Sequence, residues 1–201
     1  MIHNLFPTPV YRANNTELLD LARSTFALAE QGMTTVRSGF ASTLQDYTPI
    51  KASTPWNPLV TPKCRPIHDF MLAHVETFMQ DMGYAPYDIT ITNMWYNTMT
   101  AGSEHTPHTH YGYTYSGTYY VDLPEGSNRV LFHSTHPEFK QNLKNVAHYG
   151  EYTTQTNTLL LYPGDLLIFP AWVKHSVPPL EFEGTRACIA FDCVAQPRSS
   201  V

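Results

Sequence analysis

Two periodicities meet near Pro86. Upstream of it, apolar residues recur at helical spacing. Ile67, Phe70, Met71, His74, Val75, Phe78, Met79 and Met82 make one stripe after Pro66, whose fixed φ suits a first helical turn, and Gly83 ends it. This stripe, its methionines and His74 included, reads as ordinary packing against a sheet. A second stripe of Leu18, Leu21, Ala22, Phe26 and Ala29 predicts a helix over about 16–31. Asn15 can cap it, Glu17 and Asp20 sit near its positive end, and Gly32 is placed to stop it. Between the two helices, Pro49, Pro55, Pro58 and Pro62 forbid regular helix and discourage a central strand. Residues 33–65 therefore read as a long connection carrying one short strand or a hairpin.

After Pro86 the period becomes two. Asp88 to Asn97 alternates apolar and polar side chains, and further strands are expected at 116–122, 129–133, 158–162, 165–169 and 185–194, separated by Pro, Gly and Asn turns. Short, evenly spaced strands favour a sandwich or barrel over a parallel α/β sheet. The expectation is one domain over residues 1–201, with helices and a long loop in 1–85 and a β core over 86–195. With 201 residues, such a core needs no disulfide staples.

Composition supports this reading, since 13 Tyr and 10 Phe favour strands while 16 Pro and 10 Gly supply turns. The net charge is -5 and the 12 Lys plus Arg are scattered, which argues against a nucleic-acid or anionic-membrane surface. Cys64, Cys188 and Cys193 lack metal-finger spacing and cannot all pair, so a reduced, cytoplasmic setting is expected. No signal peptide or spanning segment is evident. An exposed sheet edge would make a homodimer unsurprising.

The chemistry centres on Glu104-His105-Thr106-Pro107-His108-Thr109-His110. On an extended strand, side chains two positions apart share a face, so His108 and His110 can grip one ion together. Beyond the buried-looking run Leu166 to Phe169, His175 supplies a third imidazole from a neighbouring strand. Arg186 opens the alternating run through Asp192 and shares a face with Cys188, Ala190 and Asp192; an arginine turned inward there needs an anionic partner. The alternative for it is a surface pair with Glu181 or Glu183. His105 can be a ligand, a neighbour of the ligands or an exposed loop residue, whereas His3, His68, His133, His136 and His148 read as surface or satisfied core residues. Asn93, Trp95 and Asn97 share one strand face and Met94 and Tyr96 the other. If the first set points inward, the two asparagines can hydrogen-bond a ligand; otherwise they are structural. Tyr111, Tyr113 and Tyr115 would line the entrance or lie on the surface.

The run from Asn93-Met94-Trp95 through Pro107-His108-Thr109-His110, Ser116-Gly117-Thr118-Tyr119-Tyr120-Val121, Pro163-Gly164-Asp165 to Pro170, His175-Ser176-Val177 and Arg186 resembles a family of 2-oxoglutarate/Fe(II)-dependent oxygenases of bacteria and marine phages. Leu5-Phe6-Pro7-Thr8-Pro9-Val10 resembles that family's start, and Gly164, Pro170 and His175 fit the second cupin motif more loosely, with Trp172 where that motif has glycine. The resemblance implies a double-stranded β-helix, the jelly-roll of the cupins, with the two N-terminal helices packed on one sheet. It implies Fe(II) on His108 and His175, His110 at the usual carboxylate position, and Arg186 on the distal carboxylate of 2-oxoglutarate, a role suited to its planar fork. By the same analogy Ser116 and Asn93 would touch the cosubstrate, while His105, Trp95, Asn97, Tyr96 and Cys188 would stand near it or near the primary substrate. Cys188 occupies a position where many relatives carry Ser or Thr.

The function so implied is that of a dioxygenase, most plausibly a hydroxylase, acting on an unidentified metabolite or peptidyl residue with O2 and 2-oxoglutarate and releasing succinate and carbon dioxide. Two alternatives stay open at this point. One is a cupin-like dioxygenase or isomerase with a three-histidine site and no 2-oxoglutarate; the other is a non-catalytic metal-binding module.

Overall fold

The computed structural model describes residues 7–29, 33–36, 50–53, 62–135, 147, 150, 153–179 and 181–198. Leu5, Phe6, the helix stop at Gln31 and Gly32, Pro49, Pro55, Pro58, His3, His136 and His148 lie outside the described residues. In chain order the elements are β1 (Tyr11–Asn14), α1 (Leu19–Ala29), β2 (Met33–Val36), β3 (Ile50–Ser53), α2 (Arg65–Asp81), β4 (Tyr87–Met99), β5 (His105–His108), β6 (Tyr115–Asp122), β7 (Arg129–His133), β8 (Thr156–Leu160), β9 (Asp165–Pro170), β10 (His175–Val177) and β11 (Arg186–Pro197).

The helices follow their sequence signals. Asn15 has extended backbone and its side chain accepts the Glu17 amide, so the expected cap forms, but the first turn, Thr16–Leu18, is 3-10 before α1 begins. Pro66 sits in the first turn of α2, and Gly83 beyond its end takes a φ of 86°. The connection between the helices carries a hairpin, because β2 pairs antiparallel with β3. Tyr11–Asn14 forms a strand that no alternation announces; it pairs with β9, far away in sequence.

Two antiparallel sheets result, ordered β1-β9-β6-β11-β4-β3-β2 and β5-β10-β7-β8. Period-two alternation gives the larger sheet two working faces. On one face Met94, Tyr96, Tyr119, Val121, Ile168, Ile189 and Phe191 pack with Ala22 and Phe26 of α1 and Ile67, Met71, Val75 and Phe78 of α2. Both helices thus cover one face of one sheet. On the other face Tyr120, Leu167, Phe169 and Cys188 meet Val130 and Phe132 of the smaller sheet. The site occupies this second space.

His74 of α2 packs among Tyr11, Phe70 and Phe78, its Nδ1 lying 2.8 Å from the Tyr11 hydroxyl, and His68 contacts Asp69. Both have local structural partners. Among the described residues no helix is long and apolar enough to cross a membrane.

Gly117 of β6 marks the tightest point of the helix-side core. A Cβ there would come within 2.4 Å of the Phe191 ring and 2.6 Å of the Leu167 carbonyl oxygen. Gly117→Ala should cost about 1–3 kcal/mol of stability, as overpacking does. Chemical denaturation checks this, and an unchanged midpoint would mean that the Phe191 ring moves aside freely.

Candidate metal centre

His108 ends β5 and His175 begins β10, and the two residues stand directly opposite each other in the antiparallel ladder. Backbone pairing therefore sets the distance between these two side chains. His110 lies just beyond β5 rather than within it, held by its amide hydrogen bond to the Ala171 carbonyl, 2.8 Å away in the β9–β10 turn. One ring nitrogen from each of His108, His110 and His175 can be chosen so that all three lie within 4.8 Å of one another. The rings crowd accordingly, with His108 and His175 centroids 4.3 Å apart and the His110 and His175 rings stacked 5.2 Å apart, nearly parallel at 9°.

The hydrogen-bond partners say which nitrogens are free. His108 Nδ1 is 2.7 Å from the Thr106 carbonyl oxygen, and His175 Nδ1 is 3.1 Å from that of Val173. A carbonyl only accepts, so each Nδ1 carries the proton and each Nε2 keeps its lone pair. His110 Nδ1 lies 2.8 Å from Asp192 Oδ1. Its Nε2 is buried with no partner, and Asp192 Oδ1, although within ion-pair distance of Nδ1, is buried without an aligned hydrogen bond. Burial, more than any other cause, holds His175 and His108 below the ordinary imidazole value; mutual repulsion among the histidines adds to it, and the carbonyl bonds oppose it. For His108 and His175 the result is the neutral state in which imidazole binds a metal.

Arg186, the first residue of β11, is 3% exposed. Its Nε donates to the Ser127 carbonyl at 3.0 Å, its guanidinium lies 5.2 Å from the Tyr120 ring centroid, and one terminal nitrogen is 3.4 Å from the Met99 sulfur. Among the described residues no carboxylate pairs with it, neither Glu181 nor Glu183 included. A buried guanidinium without an anion is costly, so the terminal nitrogens are suited to an anionic ligand.

One cavity joins the two groups. The histidines and Phe169 stand at one end; Arg186, Tyr120, Thr118, Asn97, Cys188 and Met99 form the rest, with Trp95, Ser116 and Ala190 along the wall. His105 lines it too, stacked on His108 at 4.0 Å, and burial followed by the neighbouring His108, His110 and Arg186 pushes it down to about 3. Ser116 is buried and donates to the Phe191 carbonyl at 3.1 Å.

Two expected neighbours of the site stand elsewhere. Tyr96 faces the helices by strand parity, where it bonds Thr25 and contacts Phe26. Asn93 lies outside the cavity lining, and its amide donates to the Tyr113 hydroxyl at 2.5 Å. Tyr115 is buried in the helix-side core, whereas Tyr111 is 95% exposed beside His110. Sequence reasoning gives no role to Thr118, Tyr120 or Asp192. Alternation from Arg186 was the available signal for Asp192, but its contact with His110 crosses from one strand to a loop.

The family described as "Putative 2OG-Fe(II) oxygenase" matches over residues 93–192, which hold all three histidines and Arg186. No match was found among curated proteins. Similar solved structures include a 2OG-Fe(II) oxygenase family oxidoreductase from Burkholderia pseudomallei, at 14% identity and TM-score 0.62, covering 94% of this chain and 88% of that one. A Pseudomonas putida prolyl-4-hydroxylase gives 12% and 0.61, covering 92% of each chain. HygX from Streptomyces hygroscopicus, solved with nickel and 2-oxoglutarate, gives 14% and 0.60, covering 95% and 84%. At these identities the structures establish a common fold, the double-stranded β-helix.

Proposed function

We propose, for a chain that belongs to the 2OG-Fe(II) oxygenase family through residues 93–192, that His108, His110 and His175 hold the iron and that Arg186 holds the far carboxylate of 2-oxoglutarate. The observation that carries this is the pairing, in one cavity, of a three-imidazole cluster with a buried arginine that lacks an acid partner among the described residues. The orphaned His110 Nε2 fits a metal, since an electron-pair acceptor would satisfy it.

Bound iron would couple oxidative decarboxylation of 2-oxoglutarate by O2, giving succinate and carbon dioxide, to hydroxylation of the substrate. The chain's own residues bind, orient and exclude water. Thr106 and Val173 carbonyls fix two imidazole tautomers. Arg186 spends Nε on Ser127, and one terminal nitrogen meets only the weakly accepting Met99 sulfur, so the terminal pair can grip a carboxylate end on while the Tyr120 ring backs the guanidinium. Neutral His105 and the apolar Met99 and Phe169 keep the cavity poor in competing charge. Tyr111 and the half-exposed Trp172 flank the His110–Ala171 backbone bond at the rim, where a primary substrate would enter.

Anaerobic titration of the metal-free protein with Fe(II) and then 2-oxoglutarate tests the reading. A visible charge-transfer band is expected only when both are present. Iron binding with no band and no 2-oxoglutarate affinity would sink it in favour of the three-histidine reading, which the lack of a carboxylate among the clustered side chains otherwise favours. His110→Ala should weaken Fe(II) binding by more than about 10-fold if His110 is a ligand, because one of three protein donors is lost.

A further inference from the structure

We infer that Asp192 is a positioning residue for His110: its buried carboxylate accepts the Nδ1 proton of that imidazole, aims Nε2 at His108 and His175, and returns to the centre the negative charge that a histidine at position 110 withholds. This rests on the assignment of the three histidines as metal ligands.

Asp192 is 4% exposed, and its Oδ1 lies 2.8 Å from His110 Nδ1. That approach is an ion-pair distance without hydrogen-bond alignment, so a small turn of the His110 ring would complete it, and the oxygen has no other partner among the described residues. A buried carboxylate with so little to hold it is unfavourable for the fold alone, so its place needs another explanation. The other two histidines supply it. Each has its Nδ1 proton against an acceptor, and at His110 a carboxylate stands where His108 and His175 have carbonyls. An ionised acceptor makes the stronger bond and raises the basicity of the opposite nitrogen.

Among the described residues, the other contacts of the His110 ring are with aromatic rings, His108 and His175 at 5.2 Å included. Trp95 stacks on it at 6.3 Å and Phe169 meets it edge-on at 6.4 Å, contacts that set the plane of the ring but not which nitrogen faces the cluster. Asp192, by contrast, is firmly carried. It sits where β11 pairs with Ser116 on one side and Asn93 on the other, at a register shift in which Thr92 of β4 is left without an opposite residue. Such irregularities re-aim side chains. Thr92 Oγ1 donates to the Asp192 carbonyl at 3.3 Å and Ser116 Oγ to the Phe191 carbonyl at 3.1 Å, so the backbone on which the carboxylate is mounted is pinned at consecutive residues. Imidazole ligands carry no negative charge, so three of them would leave a divalent ion's charge uncompensated. Asp192 offsets part of it from one bond further out, approaching the charge balance of a two-histidine, one-carboxylate site.

The test uses Co(II) as the probe on the purified full chain, with affinity and the visible ligand-field spectrum as readouts, in wild type, Asp192→Asn, His110→Ala and the double variant. Asp192→Asn, which keeps the size and loses the charge, should weaken Co(II) about 10–100-fold and shift the spectrum. Because Asp192 acts through His110, the same change should have less than about a 2-fold effect in the His110→Ala background. An unchanged affinity and spectrum in Asp192→Asn, or equal weakening in both backgrounds, would overturn the inference while leaving the ligand assignment intact. Co(II) binding by His110→Ala equal to wild type would instead remove the ligand assignment, and this inference with it. Should Asp192→Asn fail to fold, the Zn(II)-loaded wild type decides by NMR: a slowly exchanging His110 Nδ1 proton is expected, and rapid exchange with solvent would overturn the proposal.

Discussion

Arg186→Met should abolish 2-oxoglutarate binding, by roughly 100-fold or more, and at the same time raise the thermal midpoint of the ligand-free protein. Both halves follow from one observation. The guanidinium is buried without a carboxylate partner among the described residues, touching a carbonyl, a thioether and an aromatic face. A charge so placed costs desolvation that its neighbours return only in part, and replacing it with an apolar side chain of similar length is neutral or stabilising in comparable settings. The cosubstrate's far carboxylate would complete the pair, so the residue that weakens the empty protein is the one that captures the ligand. Arg186→Lys should keep the charge, lose the fork and bind 2-oxoglutarate at an intermediate level. Isothermal titration of the iron-loaded protein and thermal melts without ligand read the two halves separately. A lower midpoint in Arg186→Met, with 2-oxoglutarate binding unchanged, would make Arg186 a structural residue and the proposed cosubstrate pocket empty of purpose.

The metal-free protein should lose stability steeply on acidification below about pH 6.5, the ordinary imidazole value. His105 is pushed down to about 3, and burial is the leading cause holding His108 and His175 down as well. In the unfolded chain each returns to its ordinary value, so between the two values the unfolded state binds more protons. Stability present above pH 6.5 is then lost as pH falls towards the folded-state values. His105 alone contributes about 1.4 kcal/mol per pH unit between its two values, and His108 and His175 act in the same direction. Urea midpoints at pH 7.5 and 5.5 check this. His105→Gln, which removes one titrating ring, should flatten the slope by about 1.4 kcal/mol per pH unit. A pH-independent midpoint would mean that the cluster opens to solvent without unfolding.

Period two made β4 legible in the chain, whereas β6, β9 and β11 bury both faces and were legible as short runs bounded by Pro, Gly and Asn turns; the apolar stripe made α2 legible. β8 lies at Thr156–Leu160, two residues before its expected start, since Thr156 and Asn157 lack an apolar pattern and only pairing with β7 recruits them. β1 left no local signal; Tyr11 to Asn14 is a strand because β9 offers it an edge. At the site, spacing brought His108 and His110 together and parity placed Arg186, Cys188 and Ala190 along one wall. What spacing could not carry was contact between distant segments. Asn93 turns its amide to Tyr113, and Tyr96 belongs to the helix-side core because its neighbour Trp95 takes the cavity face. The partner of His110 lies on β11, a pairing that only the closed sheets create.

The ladder carrying two of the three histidines has consequences for how the protein acquires its metal. β5 has 4 residues and β10 has 3, and they join segments widely separated along the chain. Closing so long a loop for so few backbone bonds is entropically unrewarding until the larger sheet is in place, so this pairing belongs to the last steps of folding. The nascent chain would therefore present no assembled chelate, and metal would be taken up by a finished barrel. Loading becomes a matter of access through the rim and of what the cell offers once synthesis is over. Refolding should accordingly proceed at the same rate with and without Fe(II), with bound metal slowing only the unfolding arm.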